Sequence, residues 1–206
     1  MNKRIVVFAS GTGSNFKSIV HKIKLHKLSA KIYLLVSNNS NCEAVNFAKR
    51  NGIDIFIYNS KRFPYDENQN YLSKKLISYN LDLILLAGYM KKISKSIVDK
   101  YKNKILNIHP SLLPLYGGKG FYGLKVHSEV HKNNEHESGA TVHFIDSNYD
   151  TGPILIQKKI KLEANISVKD IADRVLKVEH EIYFKALELF CHNKIFWKNN
   201  KPLIKG

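Results

Sequence analysis

From residue 4 onward, short apolar runs rich in β-branched residues alternate with helical periods, and few folds accept such a chain. "RIVVFAS" reads as a fully buried strand. After "GTG", Phe16, Ile19, Val20 and Ile23 fall at i, i+3, i+4 and i+7, so a helix starts near Ser14. "IYLLVS" is a second strand. "CEAVNFAKRNG" follows as a helix with Gly52 where a left-handed C-cap belongs, and "IDIFIY" makes a third strand. A polar connection containing Pro64 leads to a helix over 66–79, and "LDLILLA" at 81–87 is a fourth strand. A short helix over 94–102 precedes the strand "KILNI". Strand–helix–strand alternation of this kind builds parallel βαβ units. Further on, "GATVHFI" and "PILIQKKI" read as an antiparallel pair joined by "DSNYDTG". The tail from Ser167 is a long helix, with Asp170 three residues on as a capping box. The expectation is a single-domain α/β protein: a Rossmann-like open, mostly parallel sheet with helices on both faces and an antiparallel strand pair toward the C-terminal part.

In open α/β sheets ligands bind outside the carboxyl ends of the strands, so residues at those ends deserve chemical scrutiny. "LNIHPSLLP" at 106–114 closes a central strand. Asn107 and His109 are two apart, so in an extended chain they point to one side. An amide can donate to a developing oxyanion, and an imidazole titrates near neutral pH. "ASGTGSNF" leaves the first strand and opens the first helix. Gly11 and Gly13 let backbone N–H groups face an anion, with Ser14 and Asn15 as added donors, or else serve a tight turn. The third glycine of the dinucleotide fingerprint would fall at Phe16, and no Walker lysine follows. In "YDTGP" at 149–153, Asp150 is either a solvated turn residue or a carboxylate that reaches His109, orients it and raises its pKa. An amide, a histidine and a carboxylate support acyl transfer or hydrolysis. With no G-x-S-x-G elbow and no cysteine in these motifs, direct attack by an amine or water is expected. His143 in "TVHF" faces this site or supports it structurally. His21, His26, His131 and His136 read as surface residues, Glu179 and His180 sit inside the long helix, and no metal-ligand spacing occurs.

The charge of +16 points first to nucleic acid, an anionic membrane surface or phosphorylated substrates. Only four of the 33 basic residues are Arg, however, and the Lys residues are scattered, while 20 Asn and abundant Ile suggest AT-rich coding. A base-reading surface would favour Arg forks in a localised stripe. Cys42 and Cys191 make neither a disulfide framework nor a metal pattern. "IVVFA" is too short for a signal-peptide core and no span is long enough to cross a membrane, so a cytoplasmic protein is expected.

Taken in order, "FASGTGSN", "LLAGYM", "NIHPSLLP", "SGATVHFI" and "DTGPIL" closely resemble the folate-dependent glycinamide ribonucleotide formyltransferases of purine synthesis. The resemblance implies transfer of a formyl group from the co-substrate 10-formyltetrahydrofolate, with no metal, to the amino group of glycinamide ribonucleotide. It implies catalytic roles for Asn107, His109 and Asp150, and places the substrate phosphate on Gly13, Ser14 and Asn15. Gly88 and Glu179 complete the nucleotide contacts, Glu179 near the ribose hydroxyls. The pterin falls against Leu86, Lys91, Lys92, Ile93 and Val98, and against the loop Ser147, Asn148, Tyr149 and Asp150. One domain over 1–206 is implied, with 1–105 as the nucleotide-phosphate half and 106–206 as the catalytic and folate half. The partners are small molecules, without nucleic acid or membrane, in a monomer or homodimer. Lys92 stands where an apolar residue is expected, and Leu176 where some relatives have a basic phosphate contact. Lys177 lies about 100° away around the helix.

Two related enzymes fit less well. A formyltetrahydrofolate hydrolase usually adds an N-terminal regulatory domain, and here the first strand begins at residue 4. A methionyl-tRNA formyltransferase needs a further C-terminal domain for which no room is expected. A catalytically silent nucleotide- or RNA-binding module is the reading outside the enzymes.

Overall fold

The computed structural model describes residues 2–205, which form two compact units: one up to Leu106, the other from Asn107 onward. The first unit runs β1 (Lys3–Phe8), α1 (Ser14–Leu25), β2 (Ala30–Ser37), α2 (Glu43–Arg50), β3 (Asp54–Ile57), α3 (Asn70–Ile77), β4 (Leu83–Leu86) and α4 (Lys95–Lys100), and β5 (Ile105–His109) follows. The alternation expected from the sequence is therefore present. β1 pairs in parallel with β2 and with β4, and β2 with β3. Ile5, Val6, Val7 and Phe8 are each 0% exposed. This explains why β1 is apolar at every position from Ile5 to Phe8 instead of at every second one: a parallel strand covered on both faces has no wet side. Each such side chain stabilises the fold by about 1.5–3 kcal/mol on burial.

The strand order is β3-β2-β1-β4-β5-β6-β7 in a mostly parallel sheet, with β6 (Glu137–Phe144) and β7 (Ile154–Lys161) forming the expected antiparallel pair. The chain moves outward from β1 to β3 and resumes at β4 on the other side of β1, so a topological switch point lies at the carboxyl ends of β1 and β4. Gly52 takes the left-handed conformation that ends α2 (φ 61°). α3 is shorter than the expected 66–79. Asp66 stands before it and accepts from the Asn70 and Tyr71 N–H groups at 2.6 and 2.9 Å, which makes it a cap and not a helical residue.

The second unit holds two further elements beyond those expected from the sequence. One is α5 (Leu124–Lys132), after the glycine-rich loop. The other is the hairpin β8 (Ile195–Lys198) and β9 (Lys201–Ile204), which follows α6 (Val168–Cys191), so the tail is not helical throughout. The Trp197 ring lies 4.8 Å from that of Phe144 and ties the hairpin to β6. α6 opens at Ser167, whose Oγ accepts from the Asp170 N–H at 3.1 Å and donates to its carboxylate at 2.6 Å. On α6, Ile171, Val175, Val178 and Ile182 recur at helical spacing and are buried.

Candidate active site

The sequence reading placed Asn107 and His109 on one side of β5, and the structure does the same. Ile108 between them is buried. The exit from β5 is held by polar staples as well as by its prolines. Ser111 donates to the Leu115 carbonyl at 2.6 Å, and Thr141 donates to the Ser111 carbonyl at 2.6 Å. Gln157 donates to the Leu113 carbonyl and to Thr141 Oγ1, both at 2.9 Å.

Asp150 meets this strand end from the loop between β6 and β7. Its Oδ2 lies 3.6 Å from His109 Nδ1, and its Oδ1 lies 3.4 Å from Asn107 Nδ2 and 3.6 Å from His143 Nε2. Two glycines let β6, β7 and the loop between them pack closely. A Cβ on Gly152 would lie 1.9 Å from the Phe144 carbonyl oxygen, and one on Gly139 would lie 2.2 Å from the Lys158 carbonyl oxygen. The β6–β7 register slips between Val142 and His143, and such bulges re-aim side chains beside functional sites.

The hydrogen bonds fix where protons sit. A carbonyl oxygen only accepts, so His109 Nε2, 2.8 Å from the Tyr116 carbonyl, carries a proton and leaves Nδ1 facing Asp150. His143 Nδ1 is 2.8 Å from the Phe144 carbonyl and is likewise protonated. In the neutral ring, Nε2 accepts from Asn107 Nδ2 at 3.0 Å. Of its two expected roles, facing the site or supporting it, His143 takes up both: it faces the site and orients the amide.

His109 is 4% exposed, and burial pushes its pKa below the ordinary value. Asp150 and the Tyr116 carbonyl oppose this without overcoming it, and His143 adds to the depression. Asp150 pulls the His109 pKa upward, as expected from its charge, but desolvation outweighs that pull and the net shift is downward. Asp150 shows the reverse balance. Burial raises its pKa, yet contact with His143, the charge of His109 and the Gly118 N–H at 2.9 Å together hold it below the usual carboxylate range. The pair near neutral pH is a neutral imidazole facing an ionised carboxylate, with one unfilled proton position between them.

The other expected contacts lie partly in the first unit, at its switch point. Gly13 caps α1 in the left-handed region (φ 67°), where a Cβ would lie 2.8 Å from the Ala44 Cβ. The first turn of α1, with Ser14 and buried Asn15, carries no acidic side chain. Ser10 N–H donates to the Gly88 carbonyl at 3.0 Å, and Met90 N–H donates to Ser10 Oγ at 2.8 Å. Leu86, Ile93 and Val98 are buried, whereas Lys91 and Lys92 are exposed. The Lys92 carbonyl accepts from Gln69 Nε2 at 2.8 Å. In the second unit, Glu179 is buried on α6, and Ser147, Asn148 and Tyr149 form an exposed loop. Asp146 shapes that loop by accepting from Asn148 N–H and from Thr151 Oγ1, both at 2.9 Å. Leu176 and Lys177 lie on α6, and Lys177 lines a cavity of about 510 Å³ with Arg174 and Glu163. Among the described residues, no group of three or more His, Cys, Asp or Glu is placed to hold a metal, and no helix is long and apolar enough to cross a membrane.

The chain belongs to the formyl transferase family, which matches residues 3–187, and within it to the phosphoribosylglycinamide formyltransferases of purine biosynthesis. It is 40% identical over 206 residues to the chloroplastic phosphoribosylglycinamide formyltransferase of Vigna unguiculata, covering 99% of this chain and 66% of that protein. It is 32% identical to the phosphoribosylglycinamide formyltransferase of Escherichia coli strain K12, covering 98% and 93% respectively. The crystal structure of glycinamide ribonucleotide transformylase 1 from Symbiobacterium toebii superposes with a TM-score of 0.90 at 29% identity, covering 98% of this chain and 94% of that one. The co-substrate of the family is a formyltetrahydrofolate.

Proposed function

We propose that this enzyme transfers the formyl group of 10-formyltetrahydrofolate to the amino group of glycinamide ribonucleotide, with Asn107, His109 and Asp150 as its catalytic residues. The observation that carries this reading is the His109 Nδ1–Asp150 Oδ2 approach of 3.6 Å beside Asn107. Attack by the amine on the formyl carbon forms a C–N bond and an oxyanion. The amide of Asn107 donates to that oxygen: its 3.4 Å contact with Asp150 is long and easily exchanged, while His143 keeps the amide aimed. The attacking nitrogen must lose a proton, and the neutral Nδ1 of His109 accepts it. Asp150 stabilises the resulting imidazolium, which gives the proton to the folate nitrogen as its bond to the formyl carbon breaks.

In this reading the substrate phosphate is held by Gly13, Ser14 and Asn15, and Gly88 and Glu179 bind the rest of the nucleotide. Leu86, Lys91, Lys92, Ile93, Val98 and the loop Ser147–Asp150 bind the pterin. What supports the phosphate assignment is the uncapped start of α1, where N–H groups and the helix dipole favour an anion. The Lys92 side chain is exposed, so its charge stands in solvent and does not disturb the burial of neighbouring Ile93. The whole chain acts as one catalytic domain in the cytoplasm, on small-molecule partners and without nucleic acid, as a monomer or homodimer.

The test is loss of 10-formyltetrahydrofolate by absorbance, with and without glycinamide ribonucleotide. Loss that requires the ribonucleotide and yields its formylated product supports the transferase. Loss without it would assign a hydrolase, and no loss in either case would leave a binding module.

A further inference from the structure

Tyr116 has an unusual backbone. Its φ is 55°, in the left-handed region that a bulky aromatic residue seldom adopts. Such a conformation persists where neighbouring contacts over-determine it, and here the contacts are identifiable. The phenol donates to Glu135 Oε1 at 2.6 Å, and Glu135 is itself fixed behind α5 by its N–H on the Val130 carbonyl at 3.2 Å. The Phe121 ring meets the Tyr116 ring edge-on at 6.4 Å. The next residue, Gly117, packs so closely that a Cβ there would lie 2.5 Å from Leu113 Cδ2 and 3.4 Å from Asp150 Cβ.

This turn delivers two backbone groups to the proposed catalytic pair. The Tyr116 carbonyl accepts from His109 Nε2 at 2.8 Å, and the Gly118 N–H donates to Asp150 Oδ2 at 2.9 Å. The first of these bonds decides a tautomer. A neutral imidazole facing an ionised carboxylate would place its proton on Nδ1, toward Asp150, and so fill the position that must receive the substrate's proton. The carbonyl on the opposite side demands that proton for Nε2 and keeps Nδ1 open.

We infer that Tyr116 and Glu135 are positioning residues of this enzyme: the phenol–carboxylate hydrogen bond holds the 116–118 turn so that its carbonyl locks His109 in the Nε2–H tautomer. The inference rests on the catalytic reading of His109 and Asp150. Neither Tyr116 nor Glu135 touches the reacting atoms in this account. Their effect is carried through His109.

The experiment is nitrogen-15 NMR of the imidazoles in the full chain, at a pH where His109 is neutral, together with steady-state kinetics. Wild type should show His109 as the Nε2–H form, and Nδ1–H there would overturn the inference without any variant. In Tyr116→Phe the tautomers should mix, and kcat should fall about tenfold while KM for both substrates stays within about twofold. Glu135→Gln keeps an acceptor for the phenol and should hold both the tautomer and kcat. A folded Tyr116→Phe with the wild-type tautomer, or a Glu135→Gln that declines equally, would overturn the positioning role. His109→Ala separates the two levels. If it retains turnover, the catalytic reading fails; if it is inactive while Tyr116→Phe is unaffected, only the positioning claim fails.

Discussion

Asn107 and His143 face each other across two strands, with the amide Nδ2 3.0 Å from the imidazole Nε2. With His143 Nδ1 donating to the Phe144 carbonyl at 2.8 Å, the Nε2 of the neutral ring accepts, and this holds the amide with its nitrogen toward His143 and Asp150. An asparagine otherwise rotates its oxygen and nitrogen freely, so this bond determines which end is offered to a substrate oxygen.

His143→Phe should therefore lower kcat about five- to tenfold with little change in KM, because one orienting hydrogen bond is lost while the amide remains. Asn107→Ala removes the donor itself and should cost about 100- to 1,000-fold. Steady-state kinetics on both proteins checks the order. Equal losses would mean that His143 does more than aim Asn107.

Gly152→Ala should unsettle the loop that carries Asp150. The new Cβ would lie 1.9 Å from the Phe144 carbonyl oxygen and 3.2 Å from the Asp146 nitrogen, both backbone atoms that cannot step aside cheaply. A loss of more than about 2 kcal/mol in unfolding free energy is expected, with activity falling alongside. Urea denaturation with a parallel activity assay measures both.

Stability should also fall on mild acidification. His127 on α5 is 5% exposed, and its Nδ1 is without a hydrogen-bond partner among the described residues. Burial, and secondarily the charge of His109, pushes its pKa from 6.5 down to about 4. Between those values the unfolded chain binds more protons than the folded one, so stability is lost as pH falls through this window, by an amount on the order of 3 kcal/mol. His109, also lowered, acts in the same direction. Asp150, held below the usual carboxylate range, contributes stability that disappears only at lower pH. Urea midpoints across this range should decline in wild type and decline less in His127→Asn.

The parts of this structure that were legible in the sequence are those written in side chains at a fixed period. The apolar run from Ile5 to Phe8 in β1, the i, i+3, i+4 pattern of α1, Gly52 and the Ser167 cap each carry a local signal, and the alternation of Asn107 and His109 placed both on one side of β5. Other features are less visible, for physical reasons. The Tyr116 carbonyl and the Gly118 N–H are backbone groups that nearly any residue could supply, so their roles depend on where the turn lies. The balance that lowers the His109 pKa is set by burial from distant elements. The aim of His143 depends on the register slip after Val142. The terminal hairpin did leave a signal, since Asn199 and Asn200 both have positive φ, as a tight hairpin turn demands, but its four-residue strands are too short to show a period.

The proposed chemistry requires an ionised Asp150 carboxylate opposite His109. Asp150→Asn keeps the size and most hydrogen bonds of that side chain while removing the charge that stabilises the imidazolium. The decisive measurement is kcat of this variant, in protein whose thermal midpoint matches wild type. A fall of about 100-fold or more is predicted, and turnover within a few-fold of wild type would contradict the pairing.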